Sequence, residues 1–95
     1  MSYNKSKIYK IVNTIDDEIY VGSTISSLAK RMAKHRWTMR NTKEENCKLH
    51  IKMNELGQEN FRILLLENYP CNSVEELRKR EGEYIKDLKA SLNYS

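Results

Sequence analysis

The apolar positions of this 95-residue chain follow two different periods. Between Lys7 and Val12 the β-formers Ile8, Tyr9, Ile11 and Val12 predict a strand. Asn13 to Asp17 supply turn chemistry, Asp16 and Asp17 being most simply turn residues, and Ile19, Tyr20 and Val21 then predict a second strand paired with the first as a hairpin. With Tyr9 opposite Tyr20, both rings would share one face with Ile11 and the bare backbone of Gly22; a one-residue slip would send one phenol to the other face. The shared face is the expectation. After Ser26 or Ser27, either of which suits a helix cap, Leu28, Met32, His35 and Met39 recur at steps of four, three and four. That period predicts a helix whose inward stripe contains a histidine, with Arg31 one turn before it on the same side.

Asn41 to Glu45 read as a polar loop. Leu49, Met53 and Leu56, closed by Gly57, predict a shorter helix. The run Phe61 to Leu66 is almost continuously apolar, which suits a strand buried on both faces at the centre of a small sheet. Tyr69 to Asn72 form a turn, and Ser73 with Glu76 three residues later is a capping box. In the helix that follows, Val74, Leu77, Glu81, Tyr84 and Leu88 lie on one stripe, so a carboxylate interrupts the apolar face. Burying it alone would cost several kcal/mol, so Glu81 needs a partner, a cation or an opening to solvent. Gly82 beside it hints at close packing or a cleft. Residues 1 to 6 are polar and read as a loose lead-in.

Composition narrows the class. Hydrophobic residues at 39% and charged residues at 32% describe an ordinary globular chain, and its length suits a single domain over residues 1–95. A net charge of +4 permits a polyanionic partner without requiring one. No stretch is long and apolar enough for a membrane span or a signal peptide. Cys47 and Cys71 lack disulfide or CxxC spacing, so free thiols in a reducing, intracellular compartment are expected.

Tyrosines, an arginine, a histidine and an isolated carboxylate suit the cleavage of a phosphodiester. That reaction needs a hard cation on the phosphate, a group that activates water and donors for the developing charge. Mg²⁺ often takes only one or two ligands from protein, so Glu81 alone can anchor it. Arg31 offers a planar fork for phosphate, and Tyr9, Tyr20 and His35 are candidates for holding or deprotonating water. Tyrosine has an unperturbed pKa of about 10 and histidine of about 6.5, so His35 competes with Tyr9 for the role of base.

These residues carry a resemblance to the GIY-YIG nuclease family over nearly the whole chain. Lys7-Ile8-Tyr9 is similar to the family's first motif and Tyr20-Val21-Gly22 to its second, at the family's spacing. Arg31, His35 and Glu81, the last within Glu81-Gly82-Glu83-Tyr84-Ile85-Lys86, match its helix arginine, histidine and metal-binding glutamate, and Asn93 a late asparagine that helps shape the site. Asn46 to Leu49 and Gly57 to Phe61 are similar to the segment that joins the family's helices to its third strand. Lys7 replaces the leading glycine of the first motif, and Val21 the isoleucine of the second. The resemblance implies an α+β fold in the order β-β-α-α-β-α, a three-stranded antiparallel sheet flanked by helices. It also implies hydrolysis of DNA with one Mg²⁺ or Mn²⁺ ion. Glu81 is then the metal ligand, Tyr9, Tyr20, Arg31 and His35 the other catalytic side chains, and Lys7, Gly22 and Asn93 the substrate-binding positions.

Other readings use the same residues. Tyr9 and Tyr20 suit cross-strand packing, and Glu81 with Arg31 a structural ion pair. Cys47, His50, Cys71 and His35 supply zinc-ligand atoms without a compact ligand spacing. The competing function is a non-catalytic DNA-binding module using the same basic cleft. The 95 residues show no separate recognition domain, which leaves weak or structure-directed cutting, self-association and a targeting partner all open.

Overall fold

The computed structural model describes residues 3–41 and 47–93. The strands are β1 (Lys7–Asn13), β2 (Tyr20–Thr24) and β3 (Phe61–Asn68), and the helices α1 (Leu28–Asn41), α2 (Lys48–Leu56) and α3 (Val74–Asp87), with 3₁₀ turns at Gln58–Asn60 and Ser91–Asn93. The three strands form an antiparallel sheet in the order β2-β1-β3. This is the expected three-stranded α+β arrangement. Of the segments named above, Asn46 and the loop residues 42–45 lie outside the described residues.

The period-two alternation of β1 divides the core. Tyr9 and Ile11 face α1 and α2, packing with Met32, Met39, Leu49, Met53 and Phe61. Ile8 points the other way, toward α3, and packs with Val21, Cys71, Leu77 and Ala90. The strand buried on both faces is therefore β1, through Ile8, Tyr9 and Ile11.

β3, expected at the centre, is an edge strand with Leu64 39% and Leu65 47% exposed. Its apolar run has a different explanation. A register shift opposite Ile8 and Tyr9 pairs Glu67 and Leu65 with consecutive β1 residues, leaving Leu66 as the extra residue. Ile63 then packs on one core and Leu66 on the other.

Local signals place the ends of the elements. Ser27 Oγ accepts from the Lys30 amide at 3.2 Å, which identifies the cap of α1; Ser26 instead pairs with Thr24. Ser73 Oγ accepts from the Glu76 amide at 3.3 Å, while Glu76 reaches back to the Asn72 amide. α2 stops at Gly57, whose φ of 92° suits a residue without Cβ. The hairpin turn is stitched by Asn13 Oδ1, which accepts from the amides of Ile15 and Asp16, and Lys52 pairs with Asp16 and Glu18. Gly82 faces open space, so it does not mark close packing. The described part of the lead-in, from Tyr3 on, is tied down as well. Tyr69 N–H donates to the Ser6 carbonyl at 2.8 Å, Cys71 N–H to that of Tyr3 at 3.2 Å, and Ser6 is buried.

The outer edge of β2 is covered by the final 3₁₀ turn. Leu92 N–H donates to Ile19 O at 3.1 Å, and the Asn93 side-chain amide accepts from Val21 N–H and donates to Val21 O. These bonds satisfy an edge that would otherwise be open.

Candidate active site

Two elements meet at the Tyr9 hydroxyl. Tyr9 lies opposite Gly22 in the β1–β2 register, and Tyr20 lies opposite Ile11. The two phenols therefore share a face, as expected, but sit diagonally rather than directly across from each other. A Cβ at Gly22 would stand 2.5 Å from Tyr9 Cζ, so the ring occupies space that only glycine leaves. From α1, Arg31 Nε–H donates to the Tyr9 hydroxyl at 3.0 Å, and His35 Nε2 shares a hydrogen bond with it at 2.9 Å. Their four-residue spacing on α1 sets both over the same strand. The Tyr20 ring lies 6.4 Å from Tyr9 and 5.6 Å, edge-on, from His35.

A residue that the sequence raised only for zinc belongs to this cluster. His50, on α2, places Nε2 3.1 Å from His35 Nδ1. If Tyr9 donates to His35 Nε2, His35 carries its proton on Nδ1 and donates it to His50. Arg31, Tyr9, His35 and His50 then form one hydrogen-bonded line. Cys71 packs on the opposite face of the sheet, away from both histidines. Among the described residues no three histidine, cysteine or acidic side chains stand together as a metal-ligand group.

Glu81 approaches from α3. Ser23 Oγ–H donates to Glu81 Oε1 at 2.6 Å, which holds the half-buried carboxylate beside the strand that carries Gly22. Among the described residues Glu81 is in no ion pair, so the pairing with Arg31 is absent. Ser23 was not legible in advance, because its only local signal is adjacency to Gly22. A lone carboxylate oriented by a hydroxyl fits a hard divalent cation that completes its shell with water and phosphate, and does not fit structural zinc.

Burial sets the proton affinities. It raises the Tyr9 pKa above the usual phenol value, with Glu81 adding to the rise and the Arg31 hydrogen bond and charge opposing it. Tyr20 is raised further, by burial first and then by the negative charge of Tyr9 and Glu81. Glu81 sits on the strand pair that carries both phenols, through its hydrogen bond to Ser23 on β2. His35 is lowered to about 3, chiefly by burial and then by Arg31 and His50, so it is neutral at physiological pH.

Beside Tyr20 a cavity of about 280 Å³ opens, lined also by Arg31, Lys34, His35 and Thr38. The remaining expected positions have backbone partners. Lys7 Nζ donates to the carbonyls of Ser26 and Lys5 at 2.9 and 3.0 Å, and Asn93 holds Val21. Both brace the strands from which Tyr9 and Tyr20 project.

Comparison with known proteins gives a consistent result. The model of the GIY-YIG catalytic domain matches residues 5–94. Uncharacterized protein 019R of Invertebrate iridescent virus 6 is 37% identical over 90% of this chain and 30% of its own length. Intron-associated endonuclease 1 of Enterobacteria phage T4 is 32% identical over 94% of this chain and 35% of its own length. The chain thus spans about a third of the curated relatives it matches. The solved catalytic domain of homing endonuclease I-TevI superposes with a TM-score of 0.77 at 30% identity, covering 95% of each chain.

Proposed function

The chain belongs to the GIY-YIG catalytic domain family, and from that premise we propose that it is a divalent-metal-dependent DNA endonuclease. The observation that carries the reading is the Tyr9 hydroxyl held between Arg31 and His35, with the Glu81 carboxylate held by Ser23 on the neighbouring strand β2. Packing alone does not require an arginine, a phenol and a neutral imidazole to converge on one oxygen. Glu81 would hold one Mg²⁺ or Mn²⁺ ion. When bound, that ion supplies positive charge for the phosphate oxygens and favours the Tyr9 phenolate.

Tyr9, its own proton first released to solvent, takes as phenolate the proton from the attacking water. His35, with its pKa near 3, is a weak base and serves instead to orient the Tyr9 hydroxyl. Arg31 stabilises the phenolate through Nε–H, which leaves its other N–H groups to donate to the phosphoryl oxygens as their charge develops. Tyr20 donates to the water or the phosphate. Gly22 admits the Tyr9 ring, and Lys7 and Asn93 support the site by bracing its strands.

Incubation of the protein with supercoiled plasmid in Mg²⁺, Mn²⁺ or EDTA, beside Glu81→Ala, tests this. Metal-dependent nicking that the variant lacks supports the endonuclease. DNA binding by both proteins without nicking in any metal identifies a binding module instead.

A further inference from the structure

The chain's positive charge is concentrated on one helix. α1 carries Lys30, Arg31, Lys34, Arg36 and Arg40 and no acidic residue. The other residues hold 12 of the 17 basic and all 13 acidic side chains, and so are close to neutral. Among the described residues no ion pair engages any of the five. On the outer face of α1, Lys30, Lys34, Trp37 and Asn41 follow at steps of four, three and four, with Arg36 and Arg40 flanking.

Trp37 is the only tryptophan of the chain and is 57% exposed, as much as any large hydrophobic side chain among the described residues. A single exposed apolar residue is ordinary. An indole set among unpaired cations presents a flat π-face in a strongly positive field. Lys34 ties this face to the candidate active site, since it also lines the cavity beside Tyr20, Arg31 and His35. Trp37 lies two turns or less beyond Arg31, roughly 9 Å along the helix axis.

A ligand matching both features carries regularly spaced negative charge and flat aromatic faces, which describes a nucleic acid strand. In an intact duplex the base faces are covered by neighbouring bases, and an indole reaches one only where a base is unpaired or a step is opened. We propose that the outer face of α1 is a track for the DNA strand entering the site, and that Trp37 stacks on an unpaired base there. The domain thereby prefers DNA with unpaired nucleotides, such as branched, bulged or single-stranded substrates, over intact duplex. The proposal rests on the reading of the site as one that takes DNA, and names the kind of DNA.

Because the tryptophan is unique, its fluorescence reports directly on this face. The protein in EDTA is titrated with single-stranded, bulged and fully paired oligonucleotides of one sequence, and Trp37→Ala and Trp37→Phe are compared by anisotropy of labelled DNA. Expected are quenching of Trp37 by the single-stranded and bulged forms but weakly by the duplex, a loss of about tenfold in their affinity in Trp37→Ala, partial retention in Trp37→Phe, and duplex affinity within about twofold of the parent. Equal quenching by intact duplex, or unchanged single-strand affinity in Trp37→Ala, overturns the proposal. Binding in EDTA does not depend on cleavage. A protein that stacks on unpaired DNA but never cuts it therefore sinks the nuclease reading alone, and one that cuts duplex without any stacking sinks only this one.

Discussion

The Tyr9 ring lies directly over Gly22, its partner across the β1–β2 pair, where a Cβ would stand 2.5 Å from Cζ. Because both residues are buried in a packed sheet, the ring cannot yield without leaving Arg31 and His35. Gly22→Ala is expected to cost about 1–3 kcal/mol of stability by overpacking and to reduce DNA cleavage more than that loss explains. Denaturant unfolding and plasmid nicking on the same preparation test it. Native nicking rates in Gly22→Ala would show that the placement of Tyr9 is not limiting.

Ser23 holds one oxygen of Glu81, so its removal should loosen the carboxylate without removing it. Ser23→Ala is expected to lower nicking by about tenfold and to raise the Mg²⁺ concentration needed for half-maximal rate, while Glu81→Gln abolishes activity at any Mg²⁺ concentration. A metal titration separates the two. An unchanged metal requirement in Ser23→Ala would leave Glu81 to be oriented by other means.

His35 is held neutral in the fold, its pKa lowered from 6.5 to about 3 mainly by burial. The unfolded chain takes up a proton below about pH 6.5 and the folded chain only near 3, so the unfolded state binds more protons in that interval. Stability from this group is therefore complete above about pH 6.5 and falls as pH drops, by up to about 1.4 kcal/mol per pH unit. Urea unfolding of the parent and of His35→Gln between pH 4 and pH 7 is expected to show a shallower slope in the variant. Parallel slopes would mean that His35 already titrates normally in the fold.

His50 supports His35 from behind, Nε2 to Nδ1. His50→Leu removes that partner inside the core and is expected to destabilise by about 1–3 kcal/mol, with His50→Gln recovering part of the loss through its amide. Thermal unfolding of the two variants tests the order. If leucine is the better tolerated, packing outweighs the histidine pair.

Local patterns were legible without coordinates. The stripes of α1 and α3 placed His35 and Glu81 correctly on their inward sides, and the caps at Ser73 and Gly57 stand where their chemistry put them. Glu81 was expected to need a partner, a cation or an opening to solvent; it is only half-buried and accepts from a serine hydroxyl 58 residues away in sequence. The apolar run of β3 misled because burial on two faces is a property of neighbours. β1, with fewer consecutive apolar residues, occupies the middle, as β2 and β3 both pair with it. The amide of Asn93 clasping Val21 across 72 residues had no local signature at all.

The sequence by itself determined the periods, the helix ends and the spacing that sets Arg31 and His35 on one side of α1, since these follow from backbone geometry within a few residues. Only the tertiary structure decided that Tyr9 meets Gly22, His35 meets His50 and Glu81 meets Ser23. Each of those pairs joins segments distant in the chain. Strand register and the packing of α2 and α3 bring them together, and neither is written in the period of any one segment.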